Sequence, residues 1–179
     1  MRLCIEDTDG PSAVKDADRW IMDDLDWLGL DWYGPVVYQS QRNDLYVRAL
    51  KLLEMQHLGD GQPLVYPCFC SRADIRAASA PNAGDGFMVY PGTCRGLSGK
   101  VVREWLNRGK RHSMRIAVPD NPDVPGDVCR FEDSVFGLRS FSLPREVGDV
   151  VIKRSDGLVS YQPAVTVDDL AMGVNQIVR

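Results

Sequence analysis

Several features that would assign a chain to a broad class are missing from this sequence. No apolar run approaches the roughly 18 residues needed to cross a bilayer, and no segment repeats at a solenoid period. The first ten residues contain no apolar signal segment. Cysteine is scarce, and an odd count of five argues against a disulfide framework. We therefore expect a soluble, cytoplasmic protein with no membrane partner, whose thiols are free or bound to a metal.

An excess of basic charge is also missing. The net charge is -4 and the pI about 5.2, which is not typical of a nucleic-acid-binding chain. The charge is nevertheless uneven, because residues 1–33 hold nine acids and three bases, whereas residues 95–115 hold seven bases and one acid. This basic stripe consists of Arg95, Lys100, Arg103, Arg108, Lys110, Arg111 and Arg115. It is compatible with phosphate binding and equally with a solvated helix face.

Hydrophobic periodicity predicts a mixed α and β chain. Helical spacing is expected from about residue 13 up to Gly29, from 43 to 57, and from 98 to 109, where Val101, Val102, Trp105 and Leu106 would face inward. Ser71 would cap a short helix. Short strands are expected at residues 3–5, 35–40, 64–70, 113–118, 128–133, 137–143 and 149–154, and the last twenty residues are ambiguous. Helices and strands alternate early and strands dominate the middle, which indicates an α/β fold.

Three of the five cysteines lie within 27 residues of one another, namely Cys68, Cys70 and Cys94. Thiolates are soft ligands, and zinc takes four ligands at structural sites, so this spacing predicts a zinc site. The alternative is three unrelated thiols. The candidates for the fourth ligand are Tyr90, Asp85 and His112, and ligand statistics rank tyrosine low. The other two cysteines, Cys4 and Cys129, fall in apolar strands and are expected to be buried.

Several stretches together resemble the catalytic core of the class I glutamyl-tRNA synthetases. They are IEDTD at 5–9, WLGLDW at 27–32, YQSQR at 38–42, YPCFCS at 66–71 and the whole segment 148–179. The order Cys-x-Cys, nineteen residues, Tyr, three residues, Cys is similar to the zinc signature of the glutamyl-queuosine tRNA(Asp) synthetases, a branch of that group.

This resemblance implies a Rossmann-like class I aminoacyl-tRNA synthetase core with a small zinc-bearing insertion. Residues 1–66 would form the first part of the core, 67–113 the zinc-bearing insertion with the basic helix, and 114–179 the second part. The implied activity is ATP-dependent activation of glutamate, with magnesium and without tRNA, followed by transfer to queuosine in the anticodon of tRNA(Asp). The implied partners are glutamate, ATP and tRNA(Asp).

The resemblance also implies roles for individual residues. Cys68, Cys70, Tyr90 and Cys94 would bind zinc, which raises tyrosine above the other candidates for the fourth position. Three further residues would bind glutamate: Glu6 at the α-amino group, Tyr161 by a hydrogen bond and Arg179 at the side-chain carboxylate. Without the resemblance, Tyr161 and Arg179 would be interpreted as core packing and surface charge. Asp168 and Asp169 are expected to be structural, and Asp7 and Asp9 to fix the loop after the first strand.

The sequence departs from the family at the ATP site. The His-Ile-Gly-His-like motif would precede residue 1 and the lysine-rich loop would follow residue 179, so we expect a partial copy, truncated at both ends, with catalytic residues unknown. Two other interpretations remain open. One is a non-catalytic, zinc-stabilised tRNA-binding fragment, and the other is a fragment of a discriminating glutamyl-tRNA synthetase. A sheet lacking its first unit would expose apolar surface, which predicts poor solubility or a partner.

Overall fold

The structure is a computed structural model, and it describes residues 1–8, 14–78, 89–119 and 128–177. It divides the chain into two compact units. One contains Met1–Ala49 and Tyr161–Arg179, and the other contains Leu50–Ser160. Within the described ranges, no helix is long and apolar enough to cross a membrane. The predicted division into residues 1–66, 67–113 and 114–179 stays a prediction.

The first unit contains a parallel strand pair joined by a helical crossover. Strand β1 (Cys4–Ile5) leads to helix α1 (Ala17–Trp27), which leads to strand β2 (Val37–Tyr38) beside β1. A 3-10 turn at Gln39–Arg42 continues into helix α2 (Asn43–Glu54), and helix α5 is Tyr161–Met172. Parallel neighbours need such a crossover, so the predicted strand-helix-strand order is confirmed here.

Helix α1 is confirmed, but its apolar residues are not core. None of its side chains is buried, and Trp27 is 83% exposed. The helix ends as predicted at Gly29, whose φ of 69° is a conformation that glycine adopts without steric cost. Helical spacing in the sequence therefore identified the helix and its end correctly, and none of its apolar side chains is buried.

The second unit is built on a three-stranded antiparallel sheet. Its strands are β3 (Val65–Cys68), β4 (Ser113–Ile116) and β7 (Val150–Lys153), in the order β3-β4-β7. Leu50, Val65 and Ile152 form a small core on this sheet. The α/β class is thus confirmed, with mixed strand pairing: among the described residues the parallel pair is β1 with β2.

The segment between β3 and β4 carries two helices, α3 (Arg72–Ala78) and α4 (Gly99–Asn107). Ser71 caps α3 as predicted: its Oγ accepts from Asp74 N at 3.1 Å, and its own N–H donates to the Asp74 carboxylate at 2.7 Å. In α4, Leu106 is 39% exposed, so its predicted inward orientation is wrong. A separate hairpin pairs β5 (Val128–Asp133) with β6 (Gly137–Ser142).

Candidate metal centre and amino-acid site

Three sulfur atoms converge at the end of β3. The Sγ atoms of Cys68, Cys70 and Cys94 all lie within 4.8 Å of one another, and those of Cys70 and Cys94 are 3.5 Å apart. The phenol oxygen of Tyr90 lies 3.4 Å from Cys68 Sγ and 3.7 Å from Cys70 Sγ. The four groups named by the resemblance are therefore brought together.

These separations fit a tetrahedral zinc ion. With Zn–S distances near 2.3 Å and Zn–O near 2.0 Å, adjacent ligands of a tetrahedron lie about 3.5–3.8 Å apart. The contacts of Tyr90 with Cys68 and Cys70 and the Cys70–Cys94 contact lie close to this range. Cys68, Tyr90 and Cys94 are also buried, which suits a structural site. His112 lies outside this group: its Nδ1 is 3.1 Å from Lys110 O. Asp85 falls outside the described residues.

Strand pairing and hydrogen bonds within the protein hold these four groups in place. Cys68 belongs to β3 and pairs with Ser113 of β4, so the segment leaves and re-enters the sheet at one residue pair. The Cys94 N–H donates to Tyr90 Oη at 2.9 Å, and the Phe69 N–H donates to Cys94 Sγ at 3.4 Å. Such outer contacts orient the ligands of a metal centre.

The thiols differ in acidity. Burial acts to raise the pKa of Cys68. Hydrogen bonding with Tyr90 and with the Cys70 backbone, together with the hydrogen bond and positive charge of Arg115, outweighs burial and leaves that pKa below its usual value. Burial raises the pKa of Cys70 to about 11, with the neighbouring Cys94 adding to the rise. Burial and the bond to Cys68 also raise the pKa of Tyr90. A divalent cation would favour the deprotonated form of every ligand.

A buried carboxylate, Asp149, ties the cysteine segment to the sheet. It accepts hydrogen bonds from Tyr66 Oη and from the Val118 N–H at 2.7 Å, and Arg95 Nη1 lies 3.4 Å away as an ion pair. Arg115 donates to its backbone carbonyl. Sequence reasoning missed this residue, although an acid directly before the apolar run of β7 is a signal of a buried, paired carboxylate.

The basic stripe is not one surface. Arg115 is only 7% exposed and Arg95 pairs with Asp149, so neither belongs to a solvated face. Lys110 lies over the ring of Trp105 at 3.6 Å, and Arg108 pairs with Glu104 at 2.8 Å. Cys129 is exposed, so its predicted burial is wrong, because β5 is solvent-exposed along most of its length.

The first unit contains a depression of about 580 Å³ near β1, and Glu6 is one of its lining residues. Two other carboxylates there already have partners. Asp7 accepts from the Ser40 N–H at 2.7 Å and from Ser40 Oγ at 2.6 Å, as expected for a loop-fixing residue. Asp18 accepts from Tyr38 Oη at 2.9 Å. Within the described part of the chain, Glu6 makes no side-chain hydrogen bond, and its role in binding glutamate stays a prediction.

The other predicted glutamate-binding residues are placed less completely. Tyr161 begins α5 and is 50% exposed. No hydrogen bond joins it to Glu6 within the described ranges. Arg179 and Asp9 lie outside the described residues, so their predicted roles stay predictions.

Two turns further along α5, Asp168 is 1% exposed and makes several polar contacts. Its Oδ2 accepts from Gln39 Nε2 at 2.9 Å and from Tyr46 Oη at 2.8 Å, and Cys4 Sγ lies 3.8 Å away. Arg42 Nε is 2.7 Å from Oδ1, an ion pair rather than a directional hydrogen bond. These contacts support a structural role and tie α5 to β1 and to the segment that follows β2.

A family model described as tRNA synthetases class I (E and Q), catalytic domain, matches residues 1–179. The chain belongs to this family. The class I synthetases are ligases, so this chain belongs to a family of ligase enzymes. The resemblance drawn from the sequence motifs is therefore confirmed.

Curated relatives of this class I synthetase chain have a more specific name than the family model gives. It is 44% identical over 178 residues to a glutamyl-Q tRNA(Asp) synthetase of Geobacter sulfurreducens, covering 98% of this chain and 50% of that protein. It is 41% identical over 187 aligned positions to the protein of the same name from Nitratidesulfovibrio vulgaris, covering 99% and 54%. The chain thus spans about half the length of the curated relatives it matches.

Solved structures agree on the fold of this class I synthetase chain. A glutamate tRNA ligase from Elizabethkingia meningosepticum superposes with a TM-score of 0.71 at 25% identity, over 97% of this chain and 35% of that one. A glutamate-tRNA synthetase from Elizabethkingia anophelis gives 0.72 at 24% identity, over 97% and 36%, which shows the fold alone.

Proposed function

We propose that this chain is part of a glutamyl-queuosine tRNA(Asp) synthetase. The protein activates glutamate with ATP and magnesium, without tRNA, and then esterifies queuosine in the anticodon of tRNA(Asp). The observation that carries this proposal is the 44% identity over 98% of the chain with a relative of that name. Because the chain spans about half of such relatives, the whole activity is proposed for the longer protein.

Zinc is proposed to be held by Cys68, Cys70, Tyr90 and Cys94. Three thiolates and a phenol oxygen complete four positions, which is typical of a closed, structural site. Zinc would supply folding free energy to the segment between β3 and β4. This agrees with a Rossmann-like core interrupted by a zinc-bearing insertion. The cytoplasmic location expected from the sequence stays a prediction.

Glutamate is proposed to bind through groups that match its three charges. Glu6 would accept from the ammonium group, since the neighbouring Asp7 and Asp18 already have partners. Tyr161 would donate a hydrogen bond, and Arg179 would pair with the side-chain carboxylate through its planar fork. Activation itself is an in-line displacement at the α-phosphate, which depends on positioning and charge neutralisation.

Glutamate-dependent exchange of pyrophosphate into ATP tests the first step. The assay uses this chain and its full-length form with magnesium and no tRNA. We expect exchange in the full-length form, with glutamine in place of glutamate as the control. Absence of exchange in a folded, zinc-loaded full-length protein that still binds tRNA in a salt-dependent way would favour the non-catalytic tRNA-binding alternative.

The acceptor is tested by charging two samples of tRNA(Asp), with and without queuosine, alongside tRNA(Glu). We expect labelled glutamate only on the queuosine-containing tRNA(Asp). Charging of tRNA(Glu) would contradict the proposal and favour a discriminating glutamyl-tRNA synthetase. Equal charging of both tRNA(Asp) samples would also contradict the proposal, because queuosine would then not be the acceptor.

A further inference from the structure

Arg115 is an unusual residue for the interior of a small sheet. It lies in β4, is 7% exposed, and its guanidinium carbon is 3.8 Å from the centre of the Tyr90 ring. One of its terminal nitrogens donates to the backbone carbonyl of Asp149, while its Nε is buried with no hydrogen-bond partner. Its guanidinium is therefore held by one carbonyl and by the face of a ring, and it also interacts with the sulfur of Cys68.

A buried cation is costly unless nearby negative charge compensates it. The Asp149 carboxylate is largely committed elsewhere, because it accepts from Tyr66 and Val118 and pairs with Arg95. Among the described residues, the cysteine cluster on this face of the sheet is a further group that would carry negative charge, as thiolates on a metal ion. Three thiolates around one divalent cation leave a net negative charge, which a guanidinium beside the cluster would offset.

Strand register explains why Arg115 reaches the cluster. Arg115 pairs with Tyr66 and Ser113 with Cys68 across β3 and β4. Side chains of paired residues share a face, and residues two apart on one strand do as well, so Arg115 and Cys68 lie on the same face of the sheet. Tyr90 comes to this face from the connecting segment, and the guanidinium carbon of Arg115 lies over its ring.

We propose that Arg115 is a positioning residue of the metal centre. Its guanidinium, lying on the Tyr90 ring, holds the phenol oxygen at the fourth ligand position and offsets the negative charge of the metal-bound thiolates. This inference rests on the proposed zinc site. It assigns a function to a residue that the sequence places in the basic stripe.

The first test compares zinc affinities by competition with a chromogenic chelator, using zinc-stripped protein. Changing an outer contact of a metal ligand costs about 10–100-fold in metal affinity. We expect a loss of this size in Arg115→Gln and a smaller loss in Arg115→Lys, which keeps the charge but not the planar group. The matched control is Arg103→Gln, an exposed arginine of α4 from the same basic stripe. It should leave affinity within about threefold of the wild type, because surface substitutions away from buried contacts have small effects.

The second test asks whether Arg115 acts through Tyr90. The Tyr90→Phe variant lacks the phenol oxygen. Adding Arg115→Gln to it should lower the logarithm of the zinc affinity by at most about a third of the drop that Arg115→Gln causes in the wild type. Circular dichroism of the zinc-free variants shows which of them fold. If Arg115→Gln does not fold, the same comparison of zinc affinities is made with Arg115→Lys.

The outcomes separate the two levels of the argument. If the wild-type chain binds no zinc, the proposed metal centre fails, and this inference fails with it. If the wild type binds zinc and the folded Arg115 variants bind it equally well, the inference alone is overturned. An equal loss with and without the Tyr90 hydroxyl would overturn the positioning role, because Arg115 would then act on the thiolates or on the fold and not through Tyr90.

Discussion

Replacement of Asp168 by asparagine should strongly destabilise the unit formed by residues 1–49 and 161–179. The substitution keeps the shape of the side chain but removes its charge and turns one acceptor oxygen into a donor. Three groups contact the carboxylate that the substitution changes. Gln39 Nε2 and Tyr46 Oη donate to Oδ2, and Arg42 Nε is 2.7 Å from Oδ1. At least one donor would face another donor in a site that is 1% exposed.

The size of the effect follows from these contacts. Removing one partner of a buried ion pair costs about 3–5 kcal/mol, and a hydrogen bond to a charged group contributes about 1.5–3 kcal/mol. The Arg42 side chain is 23% exposed and can regain some hydration, so we expect the lower end, about 3 kcal/mol. With a urea dependence of about 2 kcal/mol per molar, the unfolding midpoint should fall by about 1.5 M.

Urea unfolding followed by tryptophan fluorescence and circular dichroism measures this effect. Three of the four tryptophans lie in residues 1–49, so fluorescence reports mainly on the affected unit. The matched control is Asp169→Asn, one residue along the helix and half-buried, which should change stability by less than about 0.5 kcal/mol. Equal midpoints for the two variants would refute the assignment of Asp168 as the structural centre of this unit.

Three further changes have defined outcomes. Gly148→Ala should destabilise the chain by at least about 1–3 kcal/mol in thermal unfolding, because φ 67° and ψ -168° suit glycine alone and a Cβ would meet Val89 at 2.6 Å; Gly96→Ala, with open space and an ordinary φ, is the control. Iodoacetamide at pH 8 should alkylate exposed Cys129 faster than Cys4, whose pKa burial and Asp168 raise to about 11, and the Cys4 rate should climb as pH approaches that value; equal rates would contradict this. Glu6→Gln should weaken glutamate binding about tenfold or more by calorimetry, since a charge-assisted hydrogen bond to the ammonium is lost, and unchanged affinity would exclude Glu6 from the pocket.

Much of the local structure could be predicted because it depends on near neighbours in sequence. Gly29 ends α1 and Ser71 caps α3, and both signals act within one helical turn. The cysteine spacing likewise predicted a convergence that the folded chain realises. Tyr90 was different, since ligand statistics ranked it low and only the resemblance to a family selected it.

The remaining features depend on which strands pair, and one sequence does not state that. In the sequence, Arg115 is one of seven bases in the stripe. Only the pairing of β4 with β3 shows that the Arg115 side chain contacts Tyr90. Cys129 reads as a buried strand residue until β5 proves to lie in a solvent-exposed hairpin. Burial of a polar group and exposure of an apolar strand are both outcomes of tertiary packing.

The position of Cys68 links metal binding to strand alignment. It belongs to β3, opposite Ser113, and it is also one of the four groups that converge at the proposed zinc site. A slip of β3 by one residue would send every one of its side chains to the opposite face, taking this sulfur away from Cys70 and Cys94. A metal ion held by all three would therefore discriminate between correctly and incorrectly aligned sheets during folding, and zinc taken up early would select the native register.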